Sequence, residues 1–195
     1  MDKVSYALGL SLGNNLLSSG VTELNIEKLA KGIKDVLEQN KPEISYQEAQ
    51  TVINEYFQNL QSTVGEKASE EGKAFLAENA KRNGVVTLPS GLQYEILKTG
   101  TGIVPKASDK VKVHYHGTLI SGQVFDSSVR RGEPATFGVT QVIQGWVEAL
   151  QLMPVGSKWK LFIPSNLAYG ERGAGQSIGP NTTLIFEVEL LDIVK

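Results

Sequence analysis

The chain has 195 residues, ordinary apolar and charged fractions, and a formal net charge of -2. So near-neutral a charge argues against a nucleic-acid partner, whose footprint is clustered Lys and Arg. With no cysteine, disulfides and thiolate catalysis are excluded, and with only two histidines a zinc site has few ligands to draw on.

No stretch stays apolar for the ~20 residues of a membrane helix. The opening Met1-Asp2-Lys3-Val4-Ser5-Tyr6 lacks the charged-then-apolar pattern of a signal peptide. The sequence therefore reads as soluble, without membrane insertion, and by default cytoplasmic. A leader removed upstream would make it periplasmic or surface-anchored instead.

The spacing predicts a first helix from Asp2 to about Ser18. Leu8, Leu12 and Leu16 form one row, with Tyr6, Leu10 and Leu17 on another side, so two sides need cover. Gly9 and Gly13 leave a notch for another backbone, or are a chance pair in a buried helix. Asn25 suits an N-cap for a second helix, with Ile26, Leu29, Ile33, Val36 and Leu37 on its apolar face. Ser45 and Glu48 form a capping box that opens a third helix. No strong stop precedes Asn83-Gly84, so this helix is expected to run about 37 residues, or about 55 Å.

Along that third helix, Ala49, Val52, Ile53, Tyr56, Phe57 and Leu60 make a thick apolar face. Residues 61–73, QSTVGEKASEEGK, are then nearly all polar or small. A helix polar all round bridges between domains or is unstable, and Gly65 and Gly72 suggest bending. An arm of this size cannot bury its apolar surface alone. A second copy with C2 symmetry is the simplest cover, the polar span holding the arm away from the rest. A monomer with helices one and two folded back on helix three or on the C-terminal part is the alternative.

The sequence changes near Asn83-Gly84, after which most of the Gly and Pro occur and apolar residues alternate with period two. In 110–120, Val111, Val113, Tyr115 and Leu119 face one way, with His114 and His116 opposite. In 157–163, Trp159, Leu161 and Ile163 share a face. In 183–193, Leu184, Phe186, Val188 and Leu190 do so, with Glu187 and Glu189 opposite. A short helix falls at about Gly145–Gln151. The fold class is α+β: a helical arm with a long linking helix, then a curved antiparallel sheet half-wrapped around one short helix. The expected division is 1–60, a helical dimerisation region; 61–84, a long-helix stalk; and 85–195, the sheet domain.

No standard catalytic constellation is present. The Gly-rich run Gly170–Gly175 lacks a P-loop ending, and there is no nucleophile elbow. The aromatics Tyr115, Phe125, Phe137, Trp146, Tyr169 and Phe186 stand out, and by residue type alone they read as core.

Their order reverses that reading. Val113-His114-Tyr115-His116-Gly117, Gly122 to Ser128, Val142-Ile143-Gln144-Gly145-Trp146, Leu167-Ala168-Tyr169-Gly170 and Thr183 to Leu191 closely resemble, in order and spacing, the signature segments of FKBP-type peptidyl-prolyl cis-trans isomerases. The N-terminal part is similar, more loosely, to the helical dimerisation region of the Mip-like bacterial members, the opening DKVSYALG included. This resemblance implies an isomerase, or rotamase, with no cofactor and no metal. It implies a floor at Trp146 and walls at Tyr115, Phe125, Phe137 and Phe186. Val142 and Ile143 line one side, with the Ile143 N–H binding a substrate carbonyl. Ile178 overhangs the pocket. The catalytic set it implies is Tyr115, Asp126 at the rim, and Tyr169 as donor to the carbonyl before proline.

The residues themselves favour a structural carboxylate at Asp126 over an acid-base one. Arg130, Arg131 and Arg172 read as solvated surface, and Trp159 as core. The stretch Pro134–Gly138 is shorter than in small members of the family, which leaves Ala135 as a candidate wall. Implied partners are proline-containing peptides, unfolded protein clients, macrolide pocket ligands and a second copy of the chain. A non-catalytic peptide-binding or chaperone module is the alternative, although the pocket aromatics lost in degenerate FKBP-like domains are all present.

Overall fold

A computed structural model describes residues 2–194. These divide into two compact units that meet in sequence at Leu60 and Gln61.

The first unit holds helices α1 (Lys3–Ser18), α2 (Ile26–Leu37) and the start of α3 (Tyr46–Asn79). Local chemistry sets each start. Asp2 caps α1 by accepting from the Val4 N–H at 3.0 Å, and Asn25 caps α2 by accepting from the Lys28 N–H at 3.0 Å. The Ser45 hydroxyl accepts from the Glu48 N–H at 3.1 Å, as the capping signal predicts. Helix α1 buries none of its residues, and Val4, Tyr6, Leu8 and Leu10 are exposed.

The second unit holds the rest of α3 and seven antiparallel strands: β1 (Val85–Thr87), β2 (Gln93–Lys98), β3 (Lys110–Leu119), β4 (Val124–Ser127), β5 (Ala135–Gly138), β6 (Lys158–Ile163) and β7 (Leu184–Val194). The order is β1-β2-β6-β7-β3-β4. The outer edge of β3 is shared, pairing β5 through Lys110–Val113 and β4 through His116–Thr118. Two short helices interrupt the strands, α4 (Ser128–Arg131) and α5 (Gln144–Leu150).

The period-two alternation describes one face of this sheet well. Val111, Val113 and Tyr115 of β3, Trp159, Leu161 and Ile163 of β6, and Leu184, Phe186, Val188 and Leu190 of β7 are all buried. They form one cluster with Trp146, Ala149 and Leu150 of α5. Gly145 lets α5 sit this close, since a Cβ there would stand 2.5 Å from Ile163 Cγ2.

The other face is covered too, which alternation did not predict. Phe162 points opposite to Leu161 yet is 1% exposed. Its ring lies 6.0 Å from that of Phe75 on α3. Gln93 Nε2 donates to the Leu76 carbonyl at 2.9 Å, and Asn79 Nδ2 donates to Gln93 Oε1 at 2.8 Å. These bonds give the helix end and two buried amides their partners. Residues 61–73, expected to be a polar span holding the arm away from the rest, pack at Gly65 and Gly72 against Pro180, Asn181 and Thr183, in the same helix that brings Phe75 and Asn79 to the sheet. Gly65 and Gly72 are both buried in that seat.

Candidate functional site

A cavity of about 670 Å3 opens beside α5. Trp146, 4% exposed, lies among the aromatic rings at its base. Its indole meets Phe186 edge-on at 5.3 Å and Tyr115 at 5.5 Å, both near perpendicular. Phe137, from β5, stands 6.0 Å from both Trp146 and Tyr115. Phe125, from β4, meets Phe186 edge-on at 5.3 Å. Edge-to-face packing of this kind holds rings in fixed orientation. Gly117 makes room for two of them, because a Cβ there would stand 2.7 Å from Phe125 and 2.8 Å from Phe186.

Val142 and Ile143, just before α5, close one side. The Ile143 carbonyl accepts from the Trp146 and Val147 N–H groups, while its own N–H has no acceptor among the described residues. Tyr169 lines the other side and is 41% exposed; its hydroxyl also has no partner among the described residues. Ile178, 8% exposed, walls the cavity from the loop that follows. The Ala174 N–H donates to the Ile178 carbonyl at 2.8 Å and the Ile178 N–H to the Ala174 carbonyl at 3.1 Å, which closes that loop.

A polar network edges this apolar space. The Tyr115 hydroxyl donates to Asp126 Oδ2 at 2.5 Å. Arg131 pairs with Asp126 through one amino group, and through the other donates to the Tyr115 hydroxyl at 2.9 Å. Burial pushes the Asp126 carboxyl up, but the hydrogen bonds from Tyr115 and Arg131 outweigh it and hold the group below the ordinary carboxylate range. Burial, then the bond to Asp126, raises the Tyr115 phenol. Arg131, read from sequence as solvated surface, is a member of this network. Helix α4 delivers it there: Ser127 Oγ accepts from the Arg130 N–H at 3.2 Å, and the guanidinium comes within 5.6 Å of the Tyr115 ring centre.

All ten site residues predicted from the sequence border this cavity. Gln141, Ala174, Gly175, Gln176 and Ser177 border it as well and were not singled out. Ala135 packs on the core without lining the cavity. His114 and His116 lie on the far side of β3, with their Nδ1 atoms 3.0 and 2.9 Å from the hydroxyls of Ser128 and Ser127. No cluster of His, Asp or Glu suited to a metal ion occurs among the described residues. No helix among them is long and apolar enough to cross a membrane.

Two family profiles match the chain. One, described as FKBP-type peptidyl-prolyl cis-trans isomerase, covers residues 102–191; the other, a domain amino-terminal to that isomerase, covers 1–96. An FKBP-type 22 kDa peptidyl-prolyl cis-trans isomerase of Escherichia coli (strain K12) is 49% identical, over 98% of this chain and 95% of its own. The chain belongs to the FKBP-type peptidyl-prolyl cis-trans isomerases. Similarity to family members extends through the arm. The Outer membrane protein MIP of Legionella longbeachae is 46% identical over 100% of this chain and 86% of its own length. The crystal structure of FkpA from Escherichia coli superposes with a TM-score of 0.79 at 38% identity, covering 98% of this chain and 95% of that one. The FKBP-type fold thus carries its cavity between α5, β3–β5, β7 and the loop after β6.

Proposed function

We propose that this FKBP-type isomerase rotates X-Pro bonds in the aromatic cavity, with the prolyl ring resting on Trp146. The observation that carries the reading is the convergence of Tyr115, Phe125, Phe137, Trp146 and Phe186 on one cavity, with the Ile143 N–H and the Tyr169 hydroxyl, two donors that have no partner among the described residues, at its edges.

The barrier to rotation is about 18–20 kcal/mol because the planar amide is resonance-stabilised. In the twisted transition state that resonance is lost and the dipole shrinks. An apolar wall favours the less polar species over the planar one, so binding is differential. Excluding water removes solvent that stabilises the planar amide. The Tyr169 hydroxyl donates to the carbonyl before proline and the Ile143 N–H to a second substrate carbonyl, fixing the chain on both sides of the rotating bond. Asp126 and Arg131 orient the Tyr115 ring and close the rim. No proton has to move in this scheme. A protease-coupled or NMR exchange assay on a short X-Pro peptide tests it: turnover that a macrolide pocket ligand inhibits is expected, and a folded protein with neither turnover nor ligand binding overturns it.

The division into a dimerisation region at 1–60, a long-helix stalk at 61–84 whose helix ends at Asn79, and an isomerase domain from 85 is also our proposal, as is assembly as a homodimer. The exposure of Val4, Tyr6, Leu8 and Leu10 supports it, since contiguous apolar surface on this scale marks an interaction site. An apolar groove of about 610 Å3 between α2 and α3, lined by Leu29, Ile33, Val36, Val52 and Ile53, adds support. Two linked pockets would act together on one unfolded client, giving chaperone-like binding beside catalysis.

A further inference from the structure

The second half of α3 is built around a stripe of small residues. Gly65, Ala68, Ser69 and Gly72 recur at helical spacing and are buried or half-buried, while the residues between them are exposed. Glycine weakens a helix interior, so two within this short span call for a packing reason. A Cβ on Gly65 would stand 3.1 Å from Asn181 Nδ2 and 3.3 Å from Pro180 Cβ. One on Gly72 would overlap Thr183 Oγ1 and stand 3.3 Å from Thr183 Cβ.

Pro180, Asn181 and Thr183 form the stem of the loop whose earlier part walls the cavity. The Asn181 N–H donates to the Gly170 carbonyl at 2.8 Å, directly after Tyr169. Asn181 holds a left-handed φ of 54°, which fixes the stem's turn. Thr183 is 3% exposed and leads into Leu184, the first residue of β7. The chain of contact therefore runs from Gly72 to Thr183, and from Gly65 through Asn181 to Gly170 and Tyr169.

We infer that residues 61–79 of α3 position the pocket loop, with Gly65 and Gly72 as positioning residues for the isomerase reaction. The inference rests on the reading that Tyr169 and Ile178 belong to the site. A Cβ at position 72 pushes the helix or Thr183 away. The stem then loosens, and Tyr169 and Ile178 lose their fixed places against the prolyl ring. Misplacement by about 1 Å is enough to cost a large factor in rate.

The test uses the full chain with Gly72→Ala, Thr183→Ala and the double variant. Two quantities are read: kcat/KM on a short X-Pro peptide, and amide hydrogen exchange. Gly72→Ala is expected to lose on the order of tenfold in kcat/KM and to speed exchange at the Ile178 and Asn181 amides, leaving Val111 and Val113 unchanged. The double variant, which removes Thr183 Oγ1, is expected to recover both. Should Gly72→Ala fail to fold, Gly65→Ala, which meets the end of the Asn181 side chain and the edge of the Pro180 ring, is expected to give the same pattern more mildly. Wild-type exchange and turnover in both glycine variants overturns the inference. So does a double variant as impaired as Gly72→Ala, which marks damage to the helix itself. So does faster loop exchange with wild-type turnover. Failure of the underlying site reading shows elsewhere, as wild-type turnover in Tyr169→Phe.

Discussion

The Tyr115 hydroxyl donates to Asp126 Oδ2 at 2.5 Å, a bond that ties the core-facing side of β3 to the half-buried strand β4. Tyr115 is 6% exposed, while the Asp126 side chain is 43% exposed. The pair thus joins the packed floor of the cavity to its wet rim, and Arg131 completes it by donating to both.

This network gives a prediction for Asp126→Ala and Arg131→Ala. Each removes a partner that orients the Tyr115 ring and leaves the cavity walls in place. A loss of several-fold in kcat/KM is expected, with a folded protein by circular dichroism. Tyr115→Phe is expected to behave like Asp126→Ala, since either change removes the same bond, and the combined variant is expected to lose no more than either alone. Strictly additive losses in the double-mutant cycle would place the two residues in separate roles.

The pH behaviour follows from the direction of each shift. Asp126 is held below its ordinary value, about 3.9, so its contribution to stability is present above that pH and is lost as pH falls through the lower folded value. The Tyr115 phenol is raised, so its contribution is present below about 10 and is lost as pH rises through the higher folded value. Neither group titrates between these limits. In that window kcat/KM should carry no ionisation from the rim; the acid loss should begin below the ordinary carboxylate range and should weaken in Asp126→Asn.

The walls and the donor should separate in their effects. Tyr169→Phe removes one neutral hydrogen bond, worth about 0.5–1.5 kcal/mol, or roughly two- to tenfold in rate. Phe186→Ala opens a buried cavity and should cost about 3–5 kcal/mol of stability as well as turnover. Phe125, half-buried, should cost less. Denaturant unfolding beside the peptide assay distinguishes the two kinds of loss. If all these variants retain wild-type turnover, the cavity is not where the reaction occurs.

Much of this was legible in the sequence. The alternation at Val111, Val113 and Tyr115 carries the inner face of β3, because one face of that strand is core and the other is not. The caps at Asn25 and Ser45 are local chemistry and need no tertiary context. The five ordered segments locate the cavity, because Tyr115, Phe125, Asp126, Val142, Ile143, Trp146, Tyr169 and Phe186 come from short motifs at fixed spacing. Two features were hidden, both for physical reasons. The seat of α3 is lined by Gly65, Ala68, Ser69 and Gly72, so close approach replaces hydrophobicity as the signal and a polar-looking helix is buried on one side. Arg131 reaches the rim through the one-turn helix α4, whose geometry depends on the Ser127 cap and has no period to read.

The proposed dimer makes the last prediction. Leu8 is 66% exposed and Leu12 is 38% exposed, on a helix that buries none of its residues. If α1 forms an apolar seam with a second copy, Leu8→Glu with Leu12→Glu places charges in it, and burial of an unpaired charge is strongly unfavourable. Light scattering should report a dimer for the parent chain and a monomer for the double variant. Turnover on a short X-Pro peptide should persist, since every residue lining the cavity lies between Tyr115 and Phe186. The rate enhancement on a slow-refolding protein client should fall, because one pocket no longer raises the effective concentration of client at the other. A parent chain that is monomeric in solution removes the dimer from this account. A monomeric variant with full activity on the client removes the arm's functional role and leaves the chemistry of the cavity as it stands.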